Sequence, residues 1–596
     1  MILKQVRDPS LKYEIENINN ICDASDPYTS TTAPGNHRFA DAAHLKLHLK
    51  LESHQRLHMD KLHALQVNEE FDDVVAKNES ALRWTYDVSR YAGVGNRDHT
   101  FKANEIPITY LTSADIKEML RRNVIREISL KDIRGRVRVF PIPEWLKHRR
   151  RIVRHTTDIN DWLDKTTVAT VDMATKRDLM SFAHMGTHVL SLDAQAFYDQ
   201  FPITDEVGAY SCFRKGRKFY ALTTAPTGQR HTVEVGHTTL QRLIHMPGKR
   251  CTTLAIIDNA YFAGSAEDCE HDGGAFLERC RDINCAINGD PDAGNLSELI
   301  VREADCGGIR INMELKTIRL PEKMLDKIRL SWDLRPRWTR RSFVSHMGLL
   351  FWSVGIVTAN PGDYFECLRD YARLCREMAY YTDDTARDAY LDAAIEFQPE
   401  PLRDLESWTL QVLKNLPRRA PKPDGLQSAP DWIACVDACG TGFGYFAINP
   451  ETGETRSYGR RWPREFEEKH RALLHRSVFT EPHGVIMSMC HLLNHTGVHQ
   501  HVFIFTDSVT TMAGGNRGYN SRSAEVNDIL KRLRNLFPED LYQFTFAHIA
   551  GKDNIVADAL SRGRAPTSDE IDGARHRLLQ WSDESYGRGR QPDVGS

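Results

Sequence analysis

The sequence predicts a multidomain α+β chain, and three observations lead to this fold class. Its 596 residues are too many for one hydrophobic core, so about three to five domains are expected. Short apolar runs of strand type are separated by helical stretches, and residues 340–415 have a mostly helical pattern. Residues 416–430 contain four prolines and no apolar period, which is typical of a linker between domains.

The composition indicates a protein that folds in an aqueous, reducing compartment. Hydrophobic residues make up 41% of the chain, charged residues make up 27%, and the net charge is only −3. These values are ordinary for a soluble globular protein, so a surface for a polyanion would have to be local. The sequence has no signal pattern and no run of about 18 apolar residues, and its twelve cysteines are scattered. We expect a soluble, intracellular protein of the cytoplasm or nucleus, without membrane contact.

Two apolar runs of strand type each lead to an aspartate. The run that begins at Val189 ends on Asp193, which is followed five residues later by Tyr198. The run that begins at Leu254 reaches Asp258. Buried strands that end on carboxylates can bring them together to hold two Mg²⁺ ions for phosphoryl transfer. These two aspartates are therefore candidate metal ligands.

Nine basic residues lie between positions 131 and 154, upstream of these aspartates. They alternate with apolar residues such as Val137, Phe140 and Ile152, a pattern that favours strands with one basic face. Such a face suits the phosphates of a template or of a triphosphate, and the alternative is a solvated charged hairpin. The nine residues are Lys131, Arg134, Arg136, Arg138, Lys147, Arg149, Arg150, Arg151 and Arg154.

Four carboxylates in the last third of the chain come from separate predicted elements. Asp437 and Asp507 end apolar strands, and Glu481 lies on a predicted helix. Asp558 lies on a helix that follows a strand and a turn. A single aspartate at a strand end is more often a cap or turn residue. Four in this order could hold two Mg²⁺ ions and activate water on a phosphodiester.

Taken together, these residues resemble a retroelement reverse transcriptase followed by a ribonuclease H domain, over roughly residues 113–562. Residues 192–203 (LDAQAFYDQFPI) look like the first palm motif of that family. Residues 548–562 (HIAGKDNIVADALSR) look like the end of the ribonuclease H domain in long-terminal-repeat or tyrosine-recombinase-type elements. The divergence of the other motifs favours a trypanosomatid VIPER-like element as the lineage.

The resemblance implies a right-hand polymerase with fingers, palm and thumb or connection, followed by an α/β ribonuclease H-like domain. The implied substrates and partners are an RNA template, a DNA primer, dNTPs and RNA–DNA hybrids. The implied cofactor is Mg²⁺, with Mn²⁺ as the alternative, and two ions at each site. The oligomeric state does not follow from it. The expected domains are an N-terminal extension of unclear function (1–105), fingers and palm (106–310), a mostly helical thumb and connection (311–415), the linker (416–430), a ribonuclease H domain (431–564) and a polar tail (565–596).

Roles for individual residues also follow from the resemblance. Tyr198 would exclude a ribose 2′-OH, and Gly228 would lie in the turn beneath the nascent base pair. Arg150 and Arg151 would contact the incoming triphosphate. The implied catalytic residues and metal ligands are Asp193, Asp258, Asp437, Glu481, Asp507 and Asp558.

One departure from the family affects the expected activity. The family's third palm motif ends in two aspartates, but here it ends in Asp258 and Asn259. An amide offers an oxygen but no charge, so metal binding would survive in a weakened form. Three hypotheses stay open: an active two-site enzyme, a ribonuclease H whose inactive palm acts as a hybrid clamp, and a decayed or co-opted protein that only binds nucleic acid. The filled set of four C-terminal carboxylates argues against the third.

Overall fold

The structure is a computed structural model that describes residues 48–50, 55–91, 100–144, 149–163, 168–289, 296–423, 429–494, 496, 500–520, 522–538 and 541–586. The first 47 residues, Lys147 in the basic stretch and the end of the polar tail lie outside these ranges. The chain divides into two compact units, residues 1–333 with 417–423, and residues 334–416 with 424–596. Each unit combines sheets and helices, which confirms the multidomain α+β prediction. In the described part of the chain, every helix is too short or too polar to span a bilayer.

The described part of the first unit contains the following elements. Its strands are β1 (His48–Lys50), β2 (Ile125–Ile128), β3 (Arg138–Glu144), β4 (Arg149–His155), β5 (His188–Asp193), β6 (Cys212–Lys215), β7 (Lys218–Leu222), β8 (Thr252–Ile256), β9 (Asn259–Gly264), β10 (Glu303–Cys306), β11 (Ile309–Asn312), β12 (Thr317–Arg319) and β13 (Arg418–Arg419). Its helices are α1 (Met59–Ala64), α2 (Asp72–Leu82), α3 (Ser113–Arg121), α4 (Thr157–Trp162), α5 (Lys176–Ser181), α6 (Asp205–Gly208), α7 (Arg230–Ile244), α8 (Ala266–Asp282), α9 (Leu296–Leu299) and α10 (Glu322–Asp333).

An antiparallel sheet in the order β5-β9-β8 carries the first two candidate aspartates. Helices α7 and α8 pack on this sheet. Leu190 of β5 and Phe262 of β9 are buried in one core with Val235 of α7 and Phe276 of α8. Burial of the apolar side chains fixes the register of the strands, and it therefore fixes where each strand ends.

The segment 55–91 belongs to the same core, although its sequence gives no sign of this. Leu82 and Trp84 are buried in that core, and the indole N–H of Trp84 donates to Glu234 of α7 over 3.1 Å. The guanidinium of Arg242, also on α7, donates to the carbonyl oxygen of His63 over 2.7 Å. Part of the N-terminal extension is thus an integral layer of the first unit.

The basic stretch folds as the antiparallel hairpin β3–β4, as its alternation predicts. The expected basic face is incomplete, because Arg150 and Arg154 are buried while Arg151 is exposed. The two buried guanidinium groups pair with Asp115 and Asp199, since a buried charge needs an opposite charge nearby.

Two further sheets occupy the described part of the first unit, in the orders β2-β7-β6 and β10-β11-β12-β13. Strand β13 consists of Arg418–Arg419, which lie in the proline-rich segment, and it pairs with Thr317 and Ile318 of β12. The chain therefore returns to the first unit after residue 416.

The second unit begins with helices and continues as a sheet flanked by helices. Its helices are α11 (Arg340–Ser353), α12 (Phe365–Ala379), α13 (Asp384–Asp392), α14 (Pro399–Lys414), α15 (Arg464–His470), α16 (Ser477–Leu493), α17 (Val509–Arg517), α18 (Ala524–Leu536), α19 (Ile555–Ser561) and α20 (Ser568–Tyr586). Its strands are β14 (Trp432–Ala438), β15 (Gly442–Ile448), β16 (Thr455–Arg461), β17 (Gln500–Thr506) and β18 (Tyr542–His548). The prediction of a mostly helical region at 340–415 is confirmed.

The five strands lie in the order β16-β15-β14-β17-β18. Strands β14, β15 and β16 are antiparallel, whereas β14, β17 and β18 run parallel. Because parallel strands end at the same edge of a sheet, the residues that follow β14 and β17 come together there.

The helices at the start of this unit are tied to α18. The amide of Asn527 donates to the carbonyl oxygen of Gly362, and Arg534 donates to Asp363 over 3.0 Å. Both acceptors lie between α11 and α12, so the helical part and the sheet share one folded unit.

Glycines in the sheet allow helix α19 to approach the strands closely. The glycine-rich run after Asp437 suggests a turn, but Gly442 and Gly444 lie within β15. A Cβ atom on Gly444 would lie 2.6 Å from the Cβ of Leu560 and 2.6 Å from the backbone nitrogen of Ser561. Bare backbone is therefore required where α19 crosses the sheet.

We predict that Gly444→Ala lowers the melting temperature of the second unit. The added methyl group cannot fit against α19 without backbone shifts, which cost about 1–3 kcal/mol of unfolding free energy. Gly573→Ala on α20 is the matched control, because its nearest neighbour outside the helix backbone is a guanidinium nitrogen of Arg577 at 3.8 Å. Calorimetry of both variants measures the difference, and a Gly444→Ala protein as stable as wild type would contradict the close packing.

Candidate active sites

Three of the four predicted C-terminal carboxylates form a cluster at the edge of the five-stranded sheet. Asp437 is the penultimate residue of β14, Asp507 follows β17 directly, and Glu481 lies in the second turn of α16. One carboxylate oxygen of each residue lies within 4.8 Å of the others. The pairing of β14 with β17 brings the two strand ends side by side, and α16 covers them.

The cluster is crowded with negative charge, and two of its three carboxylates, Asp437 and Glu481, are buried, while Asp507 is more exposed. Burial raises the pKa of Glu481 to about 9, and the charges of Asp437 and Asp507 add to the rise. Burial also raises the pKa of Asp437 to about 6, although the Ser561 hydroxyl donates to its Oδ2 over 2.5 Å and opposes the change. Within the described residues, Oε2 of Glu481 is buried and has no hydrogen-bond partner.

This donor set fits a divalent cation. Mg²⁺ and Mn²⁺ prefer carboxylate oxygens, and a cation would satisfy the unpartnered oxygen of Glu481 while offsetting the repulsion between the three carboxylates. The residues that could hold it are Asp437, Glu481 and Asp507.

Asp558, the fourth predicted ligand, lies outside this close group. It is on α19, and its Oδ1 accepts from the guanidinium of Arg562 one turn later, at 2.8 Å. Its charge nevertheless contributes to raising the pKa of Asp437. The structure thus brings three of the four carboxylates together and holds the fourth nearby in an ion pair.

Two residues that position this site were not predicted as functional. Ser561 of α19 donates to Asp437. Asn554, just before α19, is buried, and its amide donates to the carbonyl oxygen of Val436 over 3.0 Å. Both lie in the motif at 548–562, in which the family resemblance assigns a catalytic role to Asp558.

The first pair of aspartates lies in the three-stranded sheet of the first unit. Asp193, the last residue of β5, is in register with Asn259, the first residue of β9. Asp258 occupies the turn between β8 and β9, and its carbonyl oxygen accepts from the N–H of Ala194 over 2.8 Å. Burial raises the pKa of Asp258, and the charge of Asp193 adds to the rise.

Each of these two aspartates has an amide partner. The side chain of Asn259 donates to Asp258 Oδ1 over 2.9 Å. Asn288 donates from its side chain to Asp193 Oδ2 over 2.6 Å and from its backbone to the Asp193 carbonyl over 2.7 Å. Asn288 was missed from the sequence because it comes from a distant loop. The two aspartates offer carboxylate oxygens, which a hard cation prefers, with less negative charge than in the second unit.

The turn that holds Asp258 is strained. Ile257 has a φ of 57°, a left-handed conformation that β-branched residues rarely adopt. Its backbone N–H donates to Nδ1 of His237 on α7 over 3.3 Å, and Nε2 of the same ring lies 3.1 Å from the Asp172 carbonyl. Burial lowers the pKa of His237, so its ring stays neutral and Nδ1 can accept.

The predicted substrate-binding residues of the first unit have different surroundings. Tyr198 lies in the turn after β5 and is partly buried. Gly228 has a φ of 97°, which suits glycine, and it precedes α7. The guanidinium of Arg150 is committed to a bidentate pair with Asp115 at 2.9 Å, whereas Arg151 is exposed.

The chain is similar to known proteins only at the level of solved structures. No family model matches the chain, and no curated protein matches it. Three solved structures of foamy viral protease-reverse transcriptase are similar in part, each covering 84% of this chain. The form called dRH with double-stranded DNA has 13% identity and a TM-score of 0.43 over 83% of its chain. The complex with double-stranded DNA has 12% identity and a TM-score of 0.41, with 98% of its chain covered. The complex with RNA/DNA hybrid has 12% identity and a TM-score of 0.42, with 64% of its chain covered. Likeness at this level does not by itself establish a shared activity.

We predict that Glu481 makes the metal-free second unit less stable as pH rises from about 4.5 to 9. In this window the folded carboxyl keeps a proton that the unfolded chain has lost, so the free energy of unfolding falls with rising pH. Added Mg²⁺ or Mn²⁺ should reverse the loss, because cations bind the deprotonated form.

Thermal unfolding across this pH range, with a chelator or with metal, measures the effect. The difference between wild type and Glu481→Gln isolates the contribution of this one group from other titrations. An identical pH slope in both proteins would show that Glu481 has an ordinary pKa.

Proposed function

We propose that the protein is a reverse transcriptase with ribonuclease H activity. The first unit would synthesise DNA on RNA or DNA templates, and the second would hydrolyse the RNA strand of RNA–DNA hybrids. The observation that carries this proposal is the cluster of Asp437, Glu481 and Asp507 at the edge of a mixed sheet. The other unit also carries two aspartates beside paired strands, with Asp193 at the end of β5 and Asp258 in the turn that leads into β9. The motif likeness at 192–203 and 548–562 supplies the type of reaction, and the element lineage stays a prediction.

In the second unit, the three clustered carboxylates would hold divalent metal, with Asp558 available as a fourth ligand. When bound, Mg²⁺ supplies a lowered pKa for an attacking water and stabilises the charge that develops on the phosphodiester. Ser561 holds Asp437 in place, and Asn554 anchors the start of α19 to β14. Recognition of a hybrid would depend on backbone contacts and groove shape, since these differ between hybrid and DNA duplexes.

In the first unit, Asp193 and Asp258 would hold the metal and Tyr198 would select the sugar of the incoming dNTP. A primer 3′-OH would lose its proton to solvent and attack the α-phosphate of that dNTP, and the bond to the β-phosphate would break as pyrophosphate leaves. Asn288 orients Asp193, and His237 holds the turn that presents Asp258. Arg151, being exposed, is better placed than Arg150 to meet a triphosphate.

A second candidate function is a ribonuclease H with a silent palm that clamps the hybrid. It is favoured by Asn259, whose amide replaces a charge and donates to the neighbouring Asp258. A protein that only binds nucleic acid is a third possibility, which the C-terminal cluster of three carboxylates disfavours.

We predict that Asp437→Asn abolishes cleavage of RNA in an RNA–DNA hybrid. Loss of a ligand should exceed the roughly 10- to 100-fold effect of removing a group outside the ligand shell. Asp572→Asn, an exposed change on α20, serves as the control and should cleave like wild type. Cleavage of a labelled RNA strand measures both variants, and equal activity in Asp437→Asn would refute the ribonuclease assignment.

We predict that the wild-type protein extends a DNA primer on an RNA template and that Asp193→Ala removes this activity. Asn259→Asp should extend faster, because a third charge strengthens cation binding. Primer extension with Mg²⁺, and separately with Mn²⁺, measures the three proteins. Synthesis only in Asn259→Asp would favour the silent-palm candidate, and no synthesis in any of them would refute the polymerase assignment.

A further inference from the structure

A buried ion pair joins the basic hairpin to the turn that carries Tyr198. Arg154 of β4 donates to Asp199, and both side chains are almost fully buried. Asp199 Oδ1 also lies within 3.4 Å of the Thr224 hydroxyl, which donates to it. Removing one partner of such a pair leaves an unpaired buried charge and is strongly destabilising, so the pair holds the hairpin and the turn together.

The same stretch of chain also holds the Gly228 turn. The side-chain amide of Asn160, six residues after Arg154, donates to the Gly228 carbonyl oxygen over 2.8 Å. Its side-chain oxygen accepts from the N–H of Arg230 over 3.1 Å. The segment from Arg154 to Asn160 therefore contacts both the turn that carries Tyr198 and the turn at Gly228.

Helix α7 fixes Tyr198 from another side. A Cβ atom on Gly236 would lie 2.9 Å from Cε1 of Tyr198 and 3.5 Å from Cδ1 of Phe197. The tyrosine ring therefore packs directly on helix backbone. Tyr198 follows Asp193 by five residues, and the charge of Asp258 helps to raise the pKa of Tyr198, second to burial.

We propose that Gly236 and the Asp199–Arg154 pair are positioning residues for Tyr198, and that through it they set the discrimination between deoxyribonucleotides and ribonucleotides. This inference rests on the proposed polymerase function. A side chain that excludes a 2′-OH acts by sterics alone, so a displacement of about 1 Å is enough to change its effect. Asp199 and Gly236 are both buried, so they act by holding the tyrosine ring in position.

The test is primer extension with matched dNTP and rNTP substrates, scored as the ratio of their kcat/KM values. Gly236→Ala and Asp199→Asn should each change this ratio by about tenfold, mainly through KM. In a Tyr198→Ala background the same two changes should leave the ratio unaltered, because both act through the missing ring. Gly236→Ala gains helix propensity, and its methyl group meets side-chain rings instead of backbone, so this variant keeps the test valid if Asp199→Asn does not fold.

Matched controls are available in the same unit. Gly274→Ala on α8 adds a methyl group that has no atom beyond the local helix backbone within 4 Å. Asp326→Asn breaks another buried ion pair, with Arg329 on α10. Neither should change the ratio.

Two outcomes distinguish failure of the positioning role from failure of the proposed polymerase function. Normal extension by Gly236→Ala with the wild-type ratio overturns the positioning role and leaves the polymerase assignment intact. No extension by wild type with either metal overturns the polymerase assignment, and the positioning role with it.

Discussion

The second unit buries carboxylates that have too little positive charge around them, and its stability depends on how their charge is offset. Glu481 and Asp437 are desolvated by the packing of α16 and α19 on the sheet. The same packing that excludes water brings their charges together. A hydrophobic core could have been formed without them, so their presence at the strand ends costs stability that a bound cation would restore.

The two candidate sites differ in how the charge of their carboxylates is offset. In the second unit the carboxylate charges face each other, and the Oε2 atom of Glu481 has no partner among the described residues. In the first unit, Asn259 and Asn288 donate to the two aspartates and stabilise their charges without metal. Amide donors reduce the gain from binding a cation, because a hydrogen bond must be exchanged for each new metal contact. The second unit is therefore better suited than the first to tight metal binding.

The sequence predicted the features that depend on local patterns. Apolar runs placed Asp193 at a strand end, and alternation predicted the β3–β4 hairpin. Contacts between distant residues left no such signal. Asn288 reaches Asp193 across 95 residues, and Asp115 draws Arg150 inward across 35 residues. The packing of residues 55–91 depends on partners in α7, and the polar, histidine-containing sequence of that segment carries no periodic pattern strong enough to predict it.

The path of the chain limits how the protein can be divided. Residues 334–416 fold with the C-terminal sheet, whereas 417–423 return to the first unit through β13. A fragment that starts at residue 431 would lose Gly362 and Asp363, the partners of Asn527 and Arg534. A single break in the proline-rich segment would likewise leave the helices of residues 334–416 attached to the wrong half. Insertions, fusions and evolutionary exchange of the two units must therefore respect two junctions along the chain instead of one.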